Sequence, residues 1–232
     1  WSLTKGAVVQ TLQHSHWVMA VALEYAPPSV GLPGGAAGKG AYLLSGTFDG
    51  RASLFRAEMG RAGEAPTGFV KVHSFLPPPP PSPSPSQHNS AATEAQPDGI
   101  LALLISAQRD LVVAGSNSGL VSAWSLGQLS DTPLATGRQA AGAGACSLAW
   151  CGNGVQVLVG SEDGVCKRWE FKQRTGGARS QRQPPCWLDC LETAQLAHDA
   201  QVMALACSAV TEPPVAFCGL SDGTLLCLGP AG

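Results

Sequence analysis

The sequence predicts an all-β fold, a β-propeller with about four blades present. The first observation is a hairpin written four times. Leu43–Phe55 reads L-L-S-G-T-F-D-G-R-A-S-L-F, Leu111–Trp124 reads L-V-V-A-G-S-N-S-G-L-V-S-A-W, Val157–Phe171 reads V-L-V-G-S-E-D-G-V-C-K-R-W-E-F and Val215–Leu228 reads V-A-F-C-G-L-S-D-G-T-L-L-C-L. In each, two apolar runs flank a tight turn that closes on Gly, which accepts a positive φ at no steric cost. In all four a second Gly lies four residues before the turn Gly, and a bulky apolar residue lies five after it. The second observation is spacing. Trp124 and Trp169 stand one repeat apart, and a period of about 40–45 residues with four strands per unit marks propeller blades. The runs are too short for helices and lack a 3.6-residue period, which excludes a helical solenoid.

In chain order, Trp1-Ser2-Leu3 reads as the end of a strand and Gly6–Leu12 as a following outer strand. His14 precedes the apolar run Trp17–Leu23, and Pro27–Gly40 is a Pro/Gly/Ala loop before the first hairpin. Phe69–Phe75 alternates with a period of two, as a half-buried strand does. Pro77–Pro81 and the Ser-Pro pairs after it cannot join a sheet, because proline lacks the N–H donor, so this stretch is expected to loop out. Ile100–Ile105, Thr132–Gln139 and a ragged Cys186–Leu196 complete the strand list. The expected organisation is a single propeller region over 1–232, with blade units at roughly 14–75, 96–139, 141–196 and 198–228. Residues 1–12 are the end of an upstream blade and 76–96 a Pro-rich insertion. The N-terminal strand could complete the fourth unit. The expected assembly is an open arc, part of a larger ring of about seven blades, and the chain reads as a fragment.

Composition bounds the function. The 232 residues carry a net charge of -2 with 13% charged residues, so no whole-molecule field points to nucleic acid or an acidic membrane. No run of eighteen apolar residues occurs, and no signal-peptide core is found, which favours an intracellular, cytoplasmic or nuclear place. Eight cysteines invite a metal or disulfide account. Cys146, Cys166, Cys207, Cys218 and Cys227 fall inside apolar runs, where a free thiol acts as a small hydrophobe. Cys146…Cys151 and Cys186…Cys190 lack the C-x-x-C spacing of a structural zinc site.

Catalytic motifs fail one by one. Gly38-Lys39 lacks the first Gly and the following hydroxyl of a phosphate-cradling loop, since Pro33 and Gly40 stand in those places. Gly115–Gly119 has the outline of a nucleophile elbow with Asn117 where the serine should be. Asp49, Asp163 and Asp222 are turn residues repeated by the architecture. His14 and His198 head equivalent strands, suited to a hydrogen bond within a blade. Two interaction features remain. Lys167, Arg168, Lys172, Arg174, Arg179 and Arg182 stand in or beside one loop with Glu170 as their single acidic neighbour. The P-x-x-P stretch with Ser82 and Ser84 before prolines could feed a polyproline-binding domain.

These hairpins resemble those of the WD-repeat (WD40) family of β-propellers, and the resemblance covers essentially the whole chain outside its insertions. It implies a hydrogen-bonded network within a blade among a His, an Asp, a Trp and a strand Ser or Thr. The matching positions are His14, Ser45, Asp49 and Phe55 in the first unit, and Gln96, Ser118 and Trp124 in the second. They are Ala141, Asp163 and Trp169 in the third, and His198, Asp222 and Leu228 in the fourth. No unit is complete. Residues 1–23 also look like the propeller of plant-type proteins that join a CCCH zinc finger to WD repeats, although no such finger occurs here. The function implied is a non-catalytic scaffold that binds other proteins through blade-edge loops. The alternative is an RNA- or ribonucleoprotein-associated propeller using the basic loop 167–182. No catalytic residue, cofactor, metal, membrane or small-molecule substrate is assigned.

Overall fold

The computed structural model describes residues 8, 10–26, 40–58, 67–78, 97–140, 142–151, 156–173, 186–208 and 214–229. They form four antiparallel sheets. Blade 1 holds β1 (Val18–Ala26), β2 (Gly40–Thr47), β3 (Ala52–Glu58) and β4 (Gly68–Phe75), paired in that order. Blade 2 holds β5 (Ile100–Ser106), β6 (Leu111–Ser116), β7 (Leu120–Ser125) and β8 (Ala135–Arg138). Blade 3 holds β9 (Ala145–Cys151), β10 (Gln156–Ser161), β11 (Val165–Gln173) and β12 (Cys186–Gln195). Blade 4 has three strands, β13 (Val202–Cys207), β14 (Ala216–Leu220) and β15 (Leu225–Leu228).

All four expected hairpins form, each the second and third strand of its blade. Their turns share one construction. Gly50, Gly119, Gly164 and Gly223 have φ of 83, 78, 74 and 89°, the left-handed region that glycine alone enters freely. Each donates its N–H three residues back, to Thr47, Ser116, Ser161 or Leu220, at 3.0–3.1 Å. The residue two before the turn Gly then donates to a carbonyl just ahead of the blade's first strand. These pairs are Phe48 to Trp17, Asn117 to Gly99, Glu162 to Gly144 and Ser221 to Gln201, at 2.8–3.0 Å. A β-bulge near the start of the first strand recurs in all four blades, at Val18/Ala20, Ile100/Ala102, Gly160/Ser161 opposite β9, and Val202/Ala204.

The second repeated Gly is a seam device. A Cβ added at Gly46 would lie 2.9 Å from Ile100 Cβ, one at Gly115 2.8 Å from the Ala145 carbonyl, and one at Gly160 2.7 Å from Val202 Cβ. Each contact is with the first residue of the next blade's first strand, so only a bare backbone lets the blades meet. β1 accordingly packs on β5, β5 on β9 and β9 on β13. The seam of blades 1 and 2 is filled by Leu44, Leu54, Phe75, Ile100, Val112 and Trp124. That of blades 2 and 3 is filled by Val113, Val121, Val157, Val159, Trp169 and Phe171. Blades 3 and 4 meet through smaller groups, Cys151, Cys166 and Ala216 with Leu158, and Val202 with Cys218.

The described blades form an arc and not a closed ring, since no comparable contact joins β13 to β1. Three expectations need correction. The described part of the N-terminal segment, expected as able to complete the fourth unit, is not paired with blade 4. Gln10 and His14 instead contact blade 1, where the Gln10 amide donates to the Phe69 carbonyl at 3.0 Å and accepts the Phe69 N–H at 2.6 Å. The described part of Gly6–Leu12 is not in a strand; Gln10 bonds β4 through its side-chain amide and not through a backbone ladder. The run after Cys186 is not ragged: β12 pairs with β11 from Val165 to Gln173, with one bulge at Arg168/Trp169. Most of the proline insertion, the Gly38-Lys39 loop and residues 174–185 lie outside the described residues.

Candidate functional site

The four turns and the lead-ins to the first strands share one face of the arc, so they are where repeated polar chemistry collects. In blade 1, Asp49 accepts from Ser15 Oγ at 2.9 Å and from Thr47 Oγ1, with Arg51 Nε 3.6 Å away. Burial raises the Asp49 pKa, but the Thr47 and Ser15 hydroxyls and Arg51 outweigh it and hold the carboxyl below its ordinary range. His14 meets Ser45 Oγ at 3.3 Å and sets its ring edge-on to Phe55, with ring centroids 5.7 Å apart. Phe55 has no N–H to continue the chain of bonds, so the network stops there.

Blade 2 uses the same chemistry with the partners exchanged. Its turn carries Ser118, and the carboxylate comes from Asp98 in the lead-in. Asp98 accepts from Ser118 N–H at 2.6 Å, Ser118 Oγ at 2.7 Å and Ser116 Oγ at 2.9 Å. Ser15 with Asp49 has therefore become Asp98 with Ser118. Sequence reasoning missed Asp98 and placed Gln96, which lies outside the described residues, in the lead-in position. The available signal was a Ser in a turn position that elsewhere holds Asp, which calls for a carboxylate from another source.

In blade 3, Glu162 reaches the Gly144 N–H at 3.0 Å and Asp163 accepts from Ser161 Oγ. Ala141 lies outside the described residues. In blade 4, Asp222 accepts the Thr224 N–H at 2.9 Å, and that bond holds its carboxyl below the ordinary range. His198 is exposed, and among the described residues no hydrogen bond holds it. Cys218 occupies the position that Ser45 has in blade 1, so the hydroxyl that an inward-turned His would meet is missing.

The tryptophans do not join such a network either. Trp124 is fully buried and donates its indole N–H to the Asp131 carbonyl at 3.3 Å. Trp169 is buried with its Nε1 unpartnered, packed over Gly137 of blade 2. Leu228 is half-buried at the end of blade 4.

The basic cluster looks different in three dimensions. Antiparallel pairing of β11 with β12 brings two acids that sequence distance had hidden. Arg168 pairs with Glu192 at 3.1 Å, and Lys172 with Asp189 at 2.5 Å and Glu170 at 3.7 Å. The Asp189 hydrogen bond is the main cause of the raised Lys172 pKa. Lys167 donates to the Arg138 carbonyl at 3.3 Å and lies 5.7 Å from the Trp169 ring centre. Glu170 is thus not the single acidic neighbour. Arg174, Arg179 and Arg182 lie outside the described residues.

Among the described residues, three rings cluster at the blade 1 turn. Trp17 is 71% exposed and sits between His16 and Phe48, with ring centroids 5.5 and 5.8 Å away. A separate cavity of about 520 Å³ opens at the seam of blades 3 and 4, lined by Cys151, Cys166, Arg168, Glu192 and Cys227 among others. Burial pushes the Cys151 thiol up to about 11, helped by its neighbour Cys207. Cys166 is raised chiefly by its hydrogen bond to Cys218, whose own pKa that bond lowers. Among the described residues no group of three His, Cys, Asp or Glu is placed to hold a metal ion. Nor is any helix there long and apolar enough to cross a membrane.

No curated protein matches the chain. Residues 133–170 match the family model described as WD domain, G-beta repeat. The match runs from the outer strand of blade 2 through the first three strands of blade 3. Four antiparallel sheets with one shared turn construction, and a repeat-length match across two of them, support the WD-repeat family for this chain, a family whose domains generally bind other proteins.

Proposed function

We propose that the chain is a non-catalytic scaffold that holds protein partners on the turn face of its blades. The observation that carries this is Trp17, a large aromatic exposed beside His16 and Phe48 at the head of blade 1. The strands of blades 2 and 3 pack on both sides, which leaves their rims and turns for recognition, and exposed Trp is among the residue types enriched in interface hot spots. The reading involves no small-molecule substrate and no membrane, and an intracellular place goes with it. The alternative, RNA held by residues 167–182, is weakened because Lys167, Arg168 and Lys172 are engaged by neighbours of their own. It now rests on Arg174, Arg179 and Arg182. The finer likeness to propellers fused to CCCH fingers adds no residue to either reading.

Affinity capture from cell extract, with and without ribonuclease, tests the proposal. The expected result is a reproducible set of proteins that survives ribonuclease and falls at least about tenfold with Trp17→Ala, the loss of roughly 1.4 kcal/mol or more that a hot spot gives. Retention of every captured protein by Trp17→Ala would overturn the use of this face. Capture abolished by ribonuclease, with RNA binding that collapses between low and moderate salt, would transfer the function to the alternative.

A further inference from the structure

The three seams match position by position, because the turn glycines Gly50, Gly119, Gly164 and Gly223 give every hairpin one register. Two residues after the turn Gly, the third strand of a blade sets a side chain into the seam with the next blade. Five residues before the turn Gly, the second strand of that next blade answers it. Between blades 1 and 2 these residues are Ala52 and Ala114, buried in one cluster. Between blades 2 and 3 they are Val121 and Val159, again buried together. Between blades 3 and 4 they are Cys166 and Cys218, 4% and 0% exposed. An apolar pair fills the place twice, and two thiols fill it the third time.

The two thiols touch. The Cys166 S–H donates to Cys218 Sγ, which raises the Cys166 pKa and lowers that of Cys218, so Cys218 is the better thiolate of the two. Packed sheets ordinarily stand about 10 Å apart, whereas a disulfide needs its Cα atoms within about 7 Å. The glycine notch beside the thiols narrows that gap. Cys166 pairs across its own sheet with Gly160, where an added Cβ would lie 2.7 Å from Val202 Cβ of blade 4. Cys218 is buried in the same cluster as Val202. Blade 3 and blade 4 thus approach closely, backbone to side chain, at the place where the two sulfurs meet. All seven cysteines among the described residues are free thiols, this pair included.

We propose that Cys166 and Cys218 are a dithiol site that closes to a disulfide and fastens blade 4 to blade 3. The co-reactant is a small-molecule disulfide such as oxidised glutathione. The Cys218 thiolate attacks one of its sulfurs and releases a glutathione thiolate, which takes up the proton that Cys218 gave up. Cys166 then loses its proton and attacks the Cys218 sulfur of the mixed disulfide. The second glutathione leaves as a thiolate and takes that proton. The chain has lost two hydrogens with their electrons, and two reduced glutathiones carry them. Both thiols are buried, so the oxidant reaches them when the seam opens, and the product then holds the seam shut. The link falls in the seam filled by the smaller side chains, where a cross-link adds most to what packing supplies.

The test holds the folded 232-residue chain in glutathione buffers of stepped reduced-to-oxidised ratio, traps free thiols by alkylation and maps the peptides by mass spectrometry. The expected result is an intramolecular link between residues 166 and 218. The oxidised chain should melt about 5–15 °C above the reduced one, as a cross-link closing a long loop does. Cys166→Val combined with Cys218→Val installs the pair that blades 2 and 3 carry, so it should keep the seam packed. That variant should form no such link and melt at one temperature in both buffers. Should it fail to fold, Cys166→Ala with Cys218→Ala, the pair of blades 1 and 2, makes the same comparison, and the peptide map of the unaltered chain decides without either. Oxidation that yields only glutathione adducts, or only links among other cysteines such as Cys151 with Cys207, would overturn the proposal. So would a redox-dependent midpoint that persists in the valine variant, or a 166–218 link that leaves the midpoint unchanged. Capture of proteins through Trp17 is independent of this link and decides only the scaffold reading.

Discussion

The seam between blades 2 and 3 and the seam between blades 3 and 4 follow one plan and are filled with different material. Both have a notch Gly, a buried first-strand residue lying over it and a turn tied to the lead-in carbonyl. The first is packed with Trp169, Phe171 and four valines, Val113, Val121, Val157 and Val159. The second relies on Cys151, Cys166, Cys218 and Ala216 and leaves a cavity of about 520 Å³ at its edge. The plan is a backbone property, so it survives any apolar filling. The energy is a side-chain property, so it does not. Blade 4 should accordingly be the part that opens first.

Removing the largest filling makes the biggest difference. Trp169→Ala should cost about 3–5 kcal/mol, the range for deleting a buried aromatic, read as a shift in the urea midpoint. Trp169→Phe should cost far less, because the indole N–H it removes has no partner in the folded protein. Cys166→Ala, in the looser seam, should fall well below Trp169→Ala. Equal losses at the two seams would show that the filling does not set their strength.

The notch glycines give the next effect. Gly160→Ala puts a methyl 2.5 Å from Ser147 Oγ and against Val202, and overpacking of that kind costs about 1–3 kcal/mol. Gly219→Ala makes only an ordinary contact, 3.6 Å from Ala204 Cβ, and should leave stability nearly unchanged. If both substitutions are silent, the notch is not what holds blades together.

How much of this could be read in advance depends on distance along the chain. The hairpins were legible because a period of two and a positive-φ Gly are local facts, written within fourteen or so residues each time. Asp98 was not, since it acts on a turn 20 positions away and its role is visible only once β5 and β6 are paired. Asp189 and Glu192 were hidden in the same way, across a stretch of sequence whose length conceals the β11–β12 register. The network implied by family resemblance fails for a chemical reason instead. Ala114, Val159 and Cys218 stand where blade 1 has Ser45, and Phe55 and Leu228 stand where an indole is needed.

Exchanging turn partners sharpens the comparison of blades 1 and 2. Asp98→Ala strips three hydrogen bonds from the Ser116–Ser118 turn and should cost about 1–3 kcal/mol. In blade 1, Ser15→Asp sets two carboxylates together and Asp49→Ser removes the acceptor, so each alone should destabilise. The double variant recreates the arrangement of blade 2 and should recover part of the loss. A double-variant cycle with no coupling would mean that the exchange is coincidental.

The smallest effect is a dependence on pH, and it separates a turn carboxylate that is held by its lead-in from one that is held within its own turn. Asp49 and Asp222 both have folded pKa values below the ordinary carboxyl value of about 3.9. A depressed folded pKa means that the unfolded chain takes up protons first. The stabilisation is then complete above about pH 4 and is lost as the pH falls from there through the folded value. Between pH 7 and pH 5 neither carboxylate should contribute any slope. Asp49 is held from outside its turn by Ser15 and also by Thr47 and Arg51, whereas Asp222 is held by Thr224 within its own turn. Asp49→Asn should therefore flatten the acid limb of a stability-against-pH curve more than Asp222→Asn does. Urea midpoints at pH 3, 4, 5 and 7 for both variants decide it. An equal response would place the effect in the turn itself, and a slope change above pH 5 would assign it to another group.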